Sequence, residues 1–267
     1  THAPMARQPA SGPCMGKGRQ MSDEEHQYER AVNPLPDVVI GLALIIGVIE
    51  IVLTLAGQGW IGGPAAVGWR SNILNAYAFS AGIQDRVLGL GDLSFNMLRR
   101  YVTYAFVHAS VTQAAFAIVI ILALGKFIGE AWRRQSILIV FFAATIAGAV
   151  VYGAITPSNY PLFGAYPGIY GMIGAYTYLL WLRLDRDGGP RWRAFGLIGF
   201  FLLLQIVWAL AMRLTVDLGW TSQDPTPYML YDGISDLGGF AVGLALSPVL
   251  GPGGWSVFVE RLRQRSD

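Results

Sequence analysis

Apolar residues in this chain gather into six long runs, at 38–57, 101–124, 136–155, 163–182, 194–213 and 231–250, separated by short polar stretches. Each approaches or exceeds the roughly 17 to 25 residues that cross about 30 Å of hydrocarbon. No water is available there to pair backbone N–H and C=O groups, so each run is predicted to be a helix. The expected fold is all-α, a polytopic bundle of six transmembrane helices.

Composition agrees with the pattern. With 54% hydrophobic residues, 13% charged residues and 33 glycines in 267 residues, the charged groups are too few to cover a soluble globule. The net charge of +2, with no basic run interleaved with aromatics, argues against a nucleic-acid partner. Cys14 is the single cysteine, which excludes a disulfide framework and a cysteine metal site.

Basic residues mark one side of the membrane. Lys126, Arg133 and Arg134 lie in the 2–3 connection, Arg183, Arg186, Arg191 and Arg193 in the 4–5 connection, and Arg261, Arg263 and Arg265 in the C-terminal tail. The 3–4 and 5–6 connections carry no lysine or arginine, so both termini are expected to be cytoplasmic. The segment 58–100 is the exception, with Arg70, Arg86, Arg99 and Arg100 on the outer side; its aromatic residues and short helical patches, such as 71–79, predict an interfacial substructure. Residues 1–36, rich in Gly, Pro and Ser, read as a disordered cytoplasmic tail, with Met21 a candidate natural start. The membrane domain is placed at 37–250 and a basic cytoplasmic tail at 251–267.

Two glycine-rich segments carry the chemistry: Phe163-Gly-Ala-Tyr-Pro-Gly-Ile-Tyr-Gly-Met-Ile-Gly174 on the fourth span and Ser235-Asp-Leu-Gly-Gly-Phe-Ala-Val-Gly243 on the sixth. Gly164, Gly168, Gly171, Gly174, Gly239 and Gly243 have the three- and four-residue spacing that lets helices approach closely. With Trp69-Arg70, the run from Arg100 to His108, and Leu124-Gly125 followed by Glu130, these segments resemble the rhomboid intramembrane serine proteases. The resemblance covers about 100–250. It implies that Tyr166 stands at the nucleophilic serine, Asp236 at the histidine, and Gln113 and Ala117 at the oxyanion-hole side chains, so that the catalytic positions are vacated.

The residue chemistry points the same way. Tyr166 is a phenol of ordinary pKa near 10 and Asp236 a weak base near 4, so together they lack an activated nucleophile and a matched base. The three histidines are His2, His26 and His108, and none lies on the sixth span. Tyr166 reads either as a filler of the vacated site or as a hydrogen-bond donor to Asp236. Asp236 reads as a structural acid or as a client contact, since carboxyls inside spans are functional candidates. Glu50 is expected to be structural, protonated or bonded to a tyrosine or to backbone. His108 is expected to be a structural histidine, and no metal or cofactor is implied.

The resemblance implies a rhomboid-fold pseudoprotease of a bacterial inner membrane that binds transmembrane segments of other proteins within the lipid bilayer. A divergent intramembrane protease and an accessory or assembly subunit of a large membrane complex are the alternatives. A solute transporter is disfavoured, because no inverted repeat is visible.

Overall fold

The computed structural model describes residues 35–157, 160–222, 224–251, 254 and 263. The N-terminal tail, with Cys14, Met21, His2 and His26, and most of the basic C-terminal tail lie outside the described residues. Six long helices dominate: α1 (Asp37–Gly57), α2 (Val111–Gly129), α3 (Arg134–Ile155), α4 (Tyr166–Arg186), α5 (Gly196–Asp217) and α6 (Thr226–Leu250). The only strand-like pairing among the described residues is an isolated antiparallel bridge between Phe79 and Leu162.

Five of the six helices are long and apolar enough to cross a membrane, and the chain is an integral membrane protein. α4 is the one that falls short, and its surroundings explain why. Pro167 to Ala175 and Thr177 are all buried, so its N-terminal half faces other helices and can carry glycine and tyrosine. The hydrophobic core wraps around it, with Ile169, Met172 and Ile173 packed among Ile46, Ile121, Ile137 and Phe141.

α2 begins ten residues later than its apolar run suggests. Arg100–Thr103 is one helical turn and Tyr104–Phe106 a 3-10 turn, after which Val107 is extended (φ −111°, ψ 130°). Ser110 then caps a new helix, its Oγ accepting the Gln113 N–H at 3.2 Å. α6, by contrast, begins five residues early, because Pro227 fits the first turn, where the N–H missing from its ring is not needed. Asp236 therefore lies ten residues into α6, about 15 Å along its axis, rather than a turn and a half from its end.

The segment between α1 and α2 is built of short pieces, including Gly63–Ala66 and Trp69–Tyr77. All four of its arginines are held by polar or ionic partners: Arg70 by Glu50, Arg86 by Asp92, Arg99 by Asn96 and the Ala76 carbonyl, and Arg100 by the Ala78 carbonyl. Arg99 stacks over the Tyr77 ring at 4.4 Å. Two of these charges are paired with carboxylates, one inside the segment and one on α1, and the other two are held by neutral acceptors.

Glycine sets the distances around α4. A Cβ at Gly239 would run into the Pro167 carbonyl oxygen, and one at Gly243 into the carbonyl oxygen of Gly171. In the other direction, a Cβ at Gly174 would come within 2.5 Å of the Phe240 carbonyl oxygen. Gly168 faces α3 instead, where a Cβ would stand 2.7 Å from Thr145 Oγ1. The α4 glycines therefore serve two neighbours, α3 and α6, not one.

Because the obstacle at Gly243 is main chain, it cannot move as a flexible side chain could. Gly243→Ala is expected to cost about 1–3 kcal/mol and to lower the melting temperature in detergent. Gly199→Ala, where nothing lies within 4 Å, is the control and should leave stability unchanged or slightly raised. Equal melting temperatures for Gly243→Ala and the parent would contradict the close contact.

Candidate functional site

The N-terminal parts of α2, α4 and α6 meet at one end of the bundle, together with the middle of α5. They enclose a cleft of about 210 Å³ whose wall includes Gln113, Tyr166, Gln205, Trp208, Asp232 and Asp236. Three of the four residues expected at vacated catalytic positions are thus brought together. Ala117 is not among them: it lies one helical turn below Gln113, fully buried in the hydrophobic core.

Tyr166 is the first residue of α4, followed by Pro167. Its phenol does not reach Asp236. The hydroxyl donates to the Gln113 carbonyl oxygen at 3.3 Å, tying α4 to the first turn of α2. Asp236 takes its hydrogen bond from α5, where Gln205 Nε2 donates to Oδ2 at 2.7 Å. Of the two readings of Tyr166, the donor to Asp236 is overturned, because each group finds its partner on a different helix. Asp236 is only 3% exposed, so an amide donor offsets part of the cost of placing its carboxyl inside a span. Next to it, Ser235 Oγ donates to the Gly148 carbonyl on α3 at 2.9 Å.

His108 stands behind the cleft, 1% exposed. Its Nε2 accepts the Ala165 N–H at 3.4 Å, which requires an unprotonated nitrogen. Burial pushes the imidazole down to about 4, in keeping with that role. Gly164 has φ +98°, a left-handed backbone that favours glycine, and a Cβ there would meet Gln113 Nε2 at 3.2 Å and His108 Cδ2 at 3.6 Å. Gln113 Oε1 accepts the Ala109 N–H at 2.9 Å.

Arg70 fastens this end of the bundle. Its guanidinium makes a two-pronged pair with Glu50, Nη2 to Oε1 at 2.6 Å and Nη1 to Oε2 at 3.0 Å, and Nη1 also donates to the His108 carbonyl at 2.8 Å. Thr54 Oγ1 adds a bond to the same carboxylate at 3.2 Å. The partner of Glu50 is basic rather than a tyrosine or backbone group, because the connection after α1 folds back to deliver Arg70. Trp69 packs beside it over Gly62, where a Cβ would stand 3.0 Å from the indole ring.

The sequence reading did not single out Gln205, Trp208 and Asp232. A signal was available for each carboxyl and amide. Gln205 is a polar residue in an otherwise apolar run, and Asp232 sits four residues before Asp236, on the same helical face. Among the described residues, no group of three or more His, Cys, Asp or Glu is placed to hold a metal ion.

Long helices packed around a glycine-rich central one, with a polar cleft at one end, define a polytopic helical membrane protein. The model of the Rhomboid domain matches residues 96–253, more than half of the chain, and the chain belongs to the rhomboid family. No curated protein matches it. The matched range begins just before the Arg100–Thr103 turn and takes in α2 to α6, so α1 and Glu50 lie outside it.

The Gln205–Asp236 bond predicts an energetic coupling between α5 and α6. Gln205→Leu should destabilise the protein, and adding Asp236→Leu should recover part of the loss, with a double-mutant-cycle coupling of about 0.5 to 3 kcal/mol in thermal or denaturant unfolding. The Tyr166→Phe and Asp236→Leu pair should show the smaller coupling. Additivity of Gln205 and Asp236 would show that the bond contributes nothing.

Proposed function

We propose that this chain is a rhomboid-fold pseudoprotease of a bacterial inner membrane, which binds transmembrane segments of other membrane proteins and does not cleave them. The observation that carries the reading is the commitment of the cleft's polar groups to structural bonds. Serine hydrolysis in a rhomboid scaffold needs a hydroxyl nucleophile beside a base. Here the Tyr166 hydroxyl donates to a main-chain carbonyl and Asp236 accepts from an amide, two separate bonds on different helices. His108, the one described histidine, spends its Nε2 on the Ala165 N–H.

Two features support binding. α5 is held loosely, with Ile198 its only buried residue, so a segment travelling in the bilayer can reach the cleft past it. Inside, the Asp232 carboxyl and the Gln113 Nε2, which those bonds leave over, offer hydrogen-bonding groups to a helix whose polar residues or frayed backbone lack partners in lipid. With both termini cytoplasmic, the cleft opens toward the outer side of the membrane. Quality control or assembly of membrane proteins is the role such a cleft suits.

Photocrosslinking in native membranes tests this. A benzophenone side chain at Trp208, in the cleft wall, is expected to form adducts within the spans of partner membrane proteins. The same group at Val48, an exposed apolar position on α1, is the control and should give lipid adducts. Equal protein adduct yields from the two positions would contradict a binding function for the cleft.

A further inference from the structure

Two carboxyls stand in the cleft wall without a cation between them. Asp232 and Asp236 lie four residues apart on α6, which sets their Cβ atoms about 5–6 Å from each other on one helical face. Asp232 is exposed in the cleft and has no hydrogen bond or ion pair among the described residues. Asp236 is 3% exposed and only half satisfied: its Oδ2 takes the Gln205 amide, while Oδ1 has no donor and is not sealed off from the cleft. A buried carboxyl with an open oxygen on a cavity needs a donor that this fold does not supply.

The chain's own cations do not fill the gap. No lysine or arginine lines the cleft, and its side-chain donors on Gln113 and Trp208 are neutral. α6 carries no basic residue, and the one arginine of α5, Arg213, is paired with Asp217 and Asp224. Arg70 is taken by Glu50. Two ionised carboxyls at this spacing repel, and a cation placed between them attracts both. Among the described residues no third carboxyl, cysteine or histidine is placed to complete a metal site. An ammonium or guanidinium group fits instead, since it donates several hydrogen bonds, and Trp208 in the same wall is the aromatic type that attracts cations most strongly.

Depth narrows the source of that group. Asp232 lies six residues and Asp236 ten residues beyond Thr226, about 9 and 15 Å along α6 from its start. Lipid headgroups stay near the level where the helix begins, so the cation has to arrive on something that enters the hydrocarbon. A lysine or arginine at that depth is costly for a span surrounded by lipid and gains most from a carboxyl partner. We infer that the clients of this cleft are spans with a lysine or arginine about 10 to 15 Å in from the cleft end, whose charged group sits between Asp232 and Asp236. This rests on the binding function proposed above and adds the chemistry by which the cleft selects.

Synthetic spans bound to the full chain in phosphatidylcholine vesicles provide the test. Each is a leucine-rich helix of about 21 residues with a photoreactive diazirine at its centre. About 10 Å from one end it carries lysine, the uncharged norleucine or glutamate. The concentration dependence of the adduct yield gives the affinity. The lysine span is expected to bind about tenfold more tightly than the norleucine span, with the glutamate span weakest. Asp232→Asn, at an exposed and unbonded side chain, should keep the parent's melting temperature and lose most of that ratio. Equal affinities for the lysine and norleucine spans, or a ratio undiminished in Asp232→Asn, would overturn the inference and leave the binding function standing. Adducts with none of the spans would overturn the binding function and the inference with it. Displacement of the lysine span by added phosphatidylethanolamine would overturn the choice of a span and assign the cation to a lipid headgroup.

Discussion

Main chain meets main chain where α4 crosses α6, and the rest of the structure is arranged around that contact. Gly239 and Gly243 leave room for the carbonyl oxygens of Pro167 and Gly171, and Gly174 leaves room for that of Phe240. Lipid provides no hydrophobic force to push helices together, so close packing of small residues has to hold them. The contact fixes the first turn of α4 beside the fourth turn of α6, one turn from Asp236, which is what places Tyr166 and Asp236 in one cleft. It also buries the N-terminal half of α4, which is why this helix can dispense with the apolar surface its neighbours need.

Polar groups at the cleft end of the bundle act as fasteners between helices. Arg70 joins the connection after α1 to Glu50 and to the His108 carbonyl, Tyr166 joins α4 to α2, Gln205 joins α5 to α6, and Ser235 joins α6 to α3. Each bond offsets the desolvation of a group that would otherwise be costly away from water. A hydroxyl held on a backbone carbonyl and a carboxyl held on an amide are well placed for stability and badly placed to exchange a proton. That is the physical basis for reading the cleft as a binding surface.

Much of the architecture was legible in the sequence because hydropathy and glycine spacing report directly on burial and close approach. The six long helices and the packing role of Gly239 and Gly243 follow from those two signals. The start of α2 was not legible, since Tyr104, Ala105 and Val107 are buried and apolar whether the backbone is helical or extended. Partner choice was the least legible feature. Glu50 pairs with Arg70 twenty residues away and Asp236 with Gln205 thirty-one residues away, and such pairings depend on how loops return and helices lean, which no local pattern records.

The central claim is that this rhomboid scaffold holds a cleft without a working nucleophile and base. Labelling of the purified protein by a fluorophosphonate probe, run beside cleavage of a reconstituted single-span substrate, measures that claim most directly. The account predicts no covalent adduct and no cleavage, for the parent and also for Tyr166→Ser with Asp236→His, since Ala117 carries no side-chain donor and lies in the core, leaving an oxyanion poorly supported. An adduct on Tyr166 or on any serine of a membrane span in the parent protein, accompanied by cleavage, would contradict it.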